Sequence, residues 1–134
     1  MMVMVLVMVM VMEKIKRVED LEVFKLSHLL VMDIYKLVES LRSGEKFGLI
    51  PQIKRSAYSI PMNLIEGSNR LTTKEYRRFV GIAKGSAGEI SYQLFLAKDL
   101  GYVSEEIYLE LREKYEIVIK MLSNLSKSLS KKSL

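Results

Sequence analysis

The sequence predicts an all-α protein, an antiparallel up-down-up-down four-helix bundle. Three observations carry that expectation. Apolar residues recur at helical three-and-four spacing in four long stretches. Helix stop and start signals separate those stretches at Ser43-Gly44, at Thr72 through Glu75, and at Gly101 through Ser104. No hairpin signature appears after residue 12. A chain of 134 residues is one domain's worth and buries enough surface to need no disulfide or metal staple. It divides into a low-complexity tract over 1–12, the bundle over 13–129 and a basic tail over 130–134.

Residues 1–12 read MMVMVLVMVMVM, without a charge. The tract is too short to span a membrane, which takes about 20 apolar residues. It also lacks the basic start and the small-residue cleavage site of a signal peptide. Met, Val and Leu can all be encoded by NTG triplets, which start bacterial genes. The tract therefore reads as a repeat ahead of the gene start, non-native or disordered, with Met12 as the initiator. If translated, it is apolar, β-prone and an aggregation hazard. No membrane association is expected.

The first helix begins near Glu19 with Asp20 as its cap, and its stripe includes Phe24, Val31 and Val38, with Ile34 and Leu41 between. Ser43-Gly44 ends it. The second runs from about Leu49 to Asn69 on Ile50, Ile53, Ala57, Ile60 and Leu64. Pro61 falls inside that stripe, where it should kink the helix or remove one backbone bond. Thr72 and Glu75 form a capping box for the third helix. It carries Tyr76, Phe79, Val80, Ala83, Ala87, Ile90 and Leu94 inward and closes at Gly101. Ser104 caps the fourth, with Glu105 and Glu106 in its first turn. Its seam is Tyr108, Leu111, Tyr115, Val118, Leu122, Leu125 and Leu129. Leu26, Leu30 and Leu37 on the first helix, and Ile107, Ile119 and Met121 on the fourth, exceed one stripe. Their helical spacing suggests a second seam used in self-association.

Several chemistries are excluded by composition. With no cysteine and one histidine (His28), thiolate zinc sites, two-His metal sites and cysteine nucleophiles are absent, and a Ser-His triad has little room. Glu66 and Glu89 have no histidine partner for a di-iron site, and no phosphate loop or dinucleotide fingerprint occurs. No enzyme, catalytic residue, metal or cofactor is expected.

Charge is more informative. Lys54 to Lys84 holds seven basic and two acidic residues, while the rest of the chain balances, so this hairpin carries the whole net charge of +5. At helical spacing, Arg55, Ser59, Met62, Asn63, Glu66 and Arg70 lie opposite the second helix's apolar stripe. Lys74, Arg77, Gly81, Lys84 and Gly88 do the same on the third, with Arg78 and Gly85 on its flank. A basic face suits a polyanion, because each neutralised phosphate releases counterions. The candidate nucleic-acid contacts are Lys54, Arg55, Arg70, Lys74, Arg77, Arg78 and Lys84. A solvated face holding a Glu66–Arg70 helical pair, or tight helix packing at Gly81 and Gly85, accounts for the same residues without a nucleic acid. Lys127, Lys131 and Lys132 add a smaller basic cluster, with no acid after Glu116.

The run Phe47-Gly48-Leu49, then Gln52 through Gly67 (QIKRSAYSIPMNLIEG), resembles the four-helix-bundle family encoded by 23S rRNA intervening sequences. So do Arg77-Arg78-Phe79, Ile82 through Ser86 with Glu89, and Leu100-Gly101-Tyr102, over about residues 19–129. Leu64-Ile65 and Ala87-Gly88 depart mildly from the family pattern. The resemblance implies a bacterial, cytoplasmic protomer in a ring-shaped oligomer, a homopentamer. The chain is also similar to the accessory variability determinant of diversity-generating retroelements, which implies RNA or DNA and a reverse transcriptase or other protein as partners. The motif residues carried over are Arg55, Ser59, Asn63, Glu66, Ser86 and Glu89, and Gly85 joins them as an interface position. A structural ring scaffold that binds a protein partner is the alternative to a nucleic-acid adaptor.

Overall fold

The computed structural model describes residues 2–8, 18, 21–41 and 48–132. Among them the chain is all-α, with five helices and no strand. These are α1 (residues 2–8), α2 (Glu22–Glu39), α3 (Leu49–Ser68), α4 (Thr73–Asp99) and α5 (Glu105–Lys132). The helix beyond the expected four lies in the Met/Val tract. Met2, Met4, Leu6 and Met8 are good helix formers, and here they prevail over the β-branched valines between them. Every side chain of α1 is exposed.

The long helices pack in chain order. α3 lies along α4 and α4 along α5, α2 leans chiefly on α3, and α2 touches α5 only lightly. Ser59 meets Ser86, and Arg77 meets Ser126, so α3 runs antiparallel to α4 and α4 antiparallel to α5. The Asp20 cap, the Ser43-Gly44 stop, Phe47 and Met12 lie outside the described residues. α2 starts after Leu21 without a side-chain cap and ends at Glu39, where the Ser40 hydroxyl donates to the Leu37 carbonyl at 2.6 Å.

The later boundaries follow the sequence signals closely. The Thr72 hydroxyl accepts from the Glu75 N–H at 3.1 Å, and the Ser104 hydroxyl accepts from the Ile107 N–H at 3.1 Å. Each satisfies one of the donors that a helix start leaves open. Gly101 takes φ 81°, the left-handed conformation that ends α4. α3 continues through Pro61, which is buried. The proline's missing N–H leaves the Ala57 carbonyl without its helical donor, and the helix is not broken there. α5 also continues past the expected boundary at residue 129, taking Ser130 and Lys131 into its last turn, while residues 133 and 134 lie outside the described residues.

The core is centred on Leu30, Ile34, Ile53, Ile60, Leu64, Ile90, Leu94, Tyr115 and Leu122, all essentially without exposure. Of the apolar residues in excess of one stripe, Leu30 is a core residue, Leu26, Leu37, Ile119 and Met121 are half-buried against the core, and Ile107 is exposed. The true α2 stripe is Val23, Ser27, Leu30, Ile34 and Val38, with Phe24 and Val31 on its flanks. Ser27 fits there because its hydroxyl bonds to the Phe24 carbonyl at 3.1 Å. Tyr115 is fully buried and its hydroxyl has no hydrogen-bond partner. Burial first, and the charge of Asp33 second, push its ionisation above the usual tyrosine range.

Candidate nucleic-acid interface

The α3–α4 seam is tight enough to bring polar motif residues together. Gly67 is buried where the helices cross: a Cβ there would stand 2.8 Å from Phe79 Cβ and 3.2 Å from the Tyr76 carbonyl oxygen. Burial also pushes the ionisation of Tyr76 upward. Further along, the Ser59 and Ser86 hydroxyls are 2.8 Å apart, and Asn63 Nδ2 donates to the Ser59 carbonyl at 2.7 Å and to its hydroxyl at 2.9 Å. Ser59, Asn63 and Ser86 thus form an interhelical clamp, set deeper than the outward face on which helical spacing placed Ser59 and Asn63. Arg55, Glu66 and Glu89 remain exposed.

The seven cations have different surroundings. Lys54 Nζ lies 5.0 Å from the centroid of the Tyr35 ring, on the side of α3 that meets α2. Arg70 pairs with Glu66 at 2.7 Å and covers the Phe79 ring at 4.6 Å, so its charge is spent locally. Arg55 on α3 and Lys84 on α4 are exposed. Lys74, Arg77 and Arg78 gather instead at the start of α4. With Glu75 and Ser126 they line an open depression of about 470 Å³. Arg77 Nε donates to Ser126 Oγ at 3.2 Å.

Ser126 is absent from the candidates that the sequence suggests. The signal available is the basic cluster in the last turns of the fourth helix, which an antiparallel neighbour sets beside the start of the third. Ion pairing sharpens the distinction between the cations. Among the described residues the acids pair with Lys25, Arg70, Lys98, Arg112 and Lys114, and none pairs with Arg55, Lys74, Arg77, Arg78, Lys84, Lys127 or Lys131.

A second open surface runs along the outer side of α4. At Gly81, Gly85 and Gly88 an added Cβ would meet nothing within 4 Å. Ile82 and Tyr92 on the same helix, and Met62 on α3, are exposed. Phe95 is more occupied, edge-on to Tyr108 at 5.9 Å and beneath Lys98 Nζ at 4.4 Å. His28, on α2, is exposed and stacks on Phe24 with ring centroids 6.5 Å apart. No group of three His, Cys, Asp or Glu side chains suited to a metal occurs among the described residues, and no described helix is long and apolar enough to cross a membrane.

These features define a small all-helical protein with a cationic end and a flat, glycine-rich flank. Residues 19–124 match the model of the 23S rRNA-intervening sequence protein family, and the chain belongs to that family. It is also similar to a crystal structure from Bacteroides thetaiotaomicron VPI-5482, a protein of unknown function from the S23 ribosomal protein family. The two are 26% identical, with 78% of this chain and 95% of that one covered and a TM-score of 0.73. Neither description names an enzymatic activity. No curated protein matches the chain significantly.

Proposed function

We propose that this chain is a non-enzymatic, homo-oligomeric nucleic-acid-binding adaptor of the bacterial cytoplasm, assembled as a ring of five four-helix protomers. The observation that carries the reading is the group of cations at the start of α4, Lys74, Arg77 and Arg78, none held by an acid. Such a group attracts phosphates without reading bases. Self-assembly draws support from α4's outer flank. Each helical glycine costs about 1 kcal/mol relative to alanine, and Gly81, Gly85 and Gly88 return nothing for it within the protomer.

Light scattering behind size exclusion, with and without RNA at two salt concentrations, tests the reading. A defined oligomer that takes up RNA at low salt and sheds it at high salt is expected. An oligomer indifferent to RNA at both salts overturns the adaptor. The second reading is a structural ring that binds a protein partner, such as a reverse transcriptase in the manner of the retroelement determinant. Exposed Met62, Ile82 and Tyr92 around the glycines favour it. In that case the outer face of α3 and α4 is used for subunit contacts, and substitution of Arg55 or Glu66 breaks the oligomer.

A further inference from the structure

We infer that the nucleic-acid backbone is gripped at the end of the bundle where α4 begins and α5 finishes, by Lys74, Arg77 and Arg78 together with Ser126, Lys127 and Lys131. This inference rests on the nucleic-acid reading and moves its site away from the outer α3–α4 face. Three features carry it. First, the chain brings residues far apart in sequence to one place: Arg77 Nε bonds to Ser126 Oγ at 3.2 Å across 49 positions. That bond holds the guanidinium by one edge and leaves its two terminal nitrogens to meet phosphate oxygens as a fork. Second, the depression at this end is open, so it suits a solvated backbone running past it better than a single enclosed ion.

Third, charge accumulates here and is cancelled elsewhere. α5 carries no acid after Glu116, and Lys127 and Lys131 are exposed in its last turns, on the helix face beside Ser126 and outside the lining of the depression itself. Of the remaining candidates, Arg70 is paired with Glu66, Lys54 lies over the Tyr35 ring, and Arg55 and Lys84 are exposed but outside the lining of the depression. The exception at the site is Glu75, whose carboxylate reduces the local charge and lines the same depression. Its presence makes a test of opposite sign available.

The experiment is fluorescence anisotropy of the full chain with labelled RNA and DNA duplexes of one sequence, from about 50 to 200 mM salt. Circular dichroism and light scattering accompany it, to establish that each variant keeps its fold and assembly. K127Q/K131Q should lower affinity roughly tenfold or more and flatten the salt slope by about 0.9 for each phosphate no longer neutralised. R55Q/K84Q, which removes the same charge from the outer face, should change affinity less than about twofold, and E75Q should tighten binding. Equal reductions on RNA and DNA mark backbone contact; a reduction on RNA alone makes the ribose hydroxyl part of the site. The placement is overturned if R55Q/K84Q costs as much as K127Q/K131Q, or if E75Q leaves binding unchanged. Wild-type protein that binds neither duplex overturns the adaptor reading, and this inference with it.

Discussion

Gly67 and Gly85 are both helical glycines on the α3–α4 hairpin, yet their surroundings are opposite. Around Gly67 the helices approach so closely that a methyl group would strike Phe79 Cβ and the Tyr76 backbone. Around Gly85, and at Gly81 and Gly88 beside it, nothing lies within 4 Å of the same position. One glycine is explained by the fold of this chain. The other three weaken α4 with no compensating contact inside the protomer. The same residue type thus marks a close helix crossing in one region and open surface in the other.

Gly67→Ala should produce the largest effect. Its Cβ meets a rigid Cβ and a backbone oxygen, so the helices must shift, at a cost of about 1–3 kcal/mol. A lower urea midpoint with an unchanged slope would register this; an unchanged midpoint would mean that the crossing is looser than described. Gly85→Ala should act in the opposite direction, stabilising the protomer by about 0.5–1 kcal/mol through helix propensity. Sedimentation of the same variant should show weaker self-association, because the added methyl group stands where a second helix would pack. A stabilised variant that assembles as well as wild type would leave the glycine flank without a role in the oligomer.

Ser86→Ala should cost about 1 kcal/mol in thermal or chemical unfolding, by removing the hydrogen bond that ties α4 to Ser59. The Asn63 amide still donates to the Ser59 hydroxyl and carbonyl, so a much larger drop would show that the clamp acts as one unit. Tyr115→Phe should be the mildest change at neutral pH, within about 1 kcal/mol, since it removes a hydroxyl that has no partner. Its effect should appear in alkali. The folded state raises this tyrosine's ionisation, so its contribution is whole below the ordinary value near 10 and declines as pH rises beyond it. Wild-type melting temperature should therefore fall more steeply above pH 10 than that of the variant.

Much of the helical layout is legible in the sequence because periodicity and capping are local. Thr72, Gly101 and Ser104 announce their boundaries within a few residues. The α2 stripe is harder to read. A polar Ser27 occupies a core position, and a pattern followed at strict sevens drifts around a real helix by about 20° per heptad. That drift makes Leu30 look like an extra and Phe24 like the core, the reverse of their places in the bundle. At the candidate site the cations are visible as residues, but their grouping is not. The Glu66–Arg70 pair is an i,i+4 relation and is legible in the sequence, but whether Arg77 has Ser126 beside it depends on which helices are neighbours, and that is not encoded at short range.

The light contact between α2 and α5 has a consequence for the order in which the molecule comes apart. α3, α4 and α5 form a continuous packed series, whereas α2 is supported mainly from one side and begins without a side-chain cap. In the native state α2 should open as a unit ahead of the others, so its amides exchange with solvent well before those of α4. Each such opening briefly bares Ile34 and Leu30 together with the buried faces of α3 and α5. The protein thus has a weak seam along α2, whose first residues share a depression with Met121, Asn124 and Leu125 of α5 and so adjoin the cationic end.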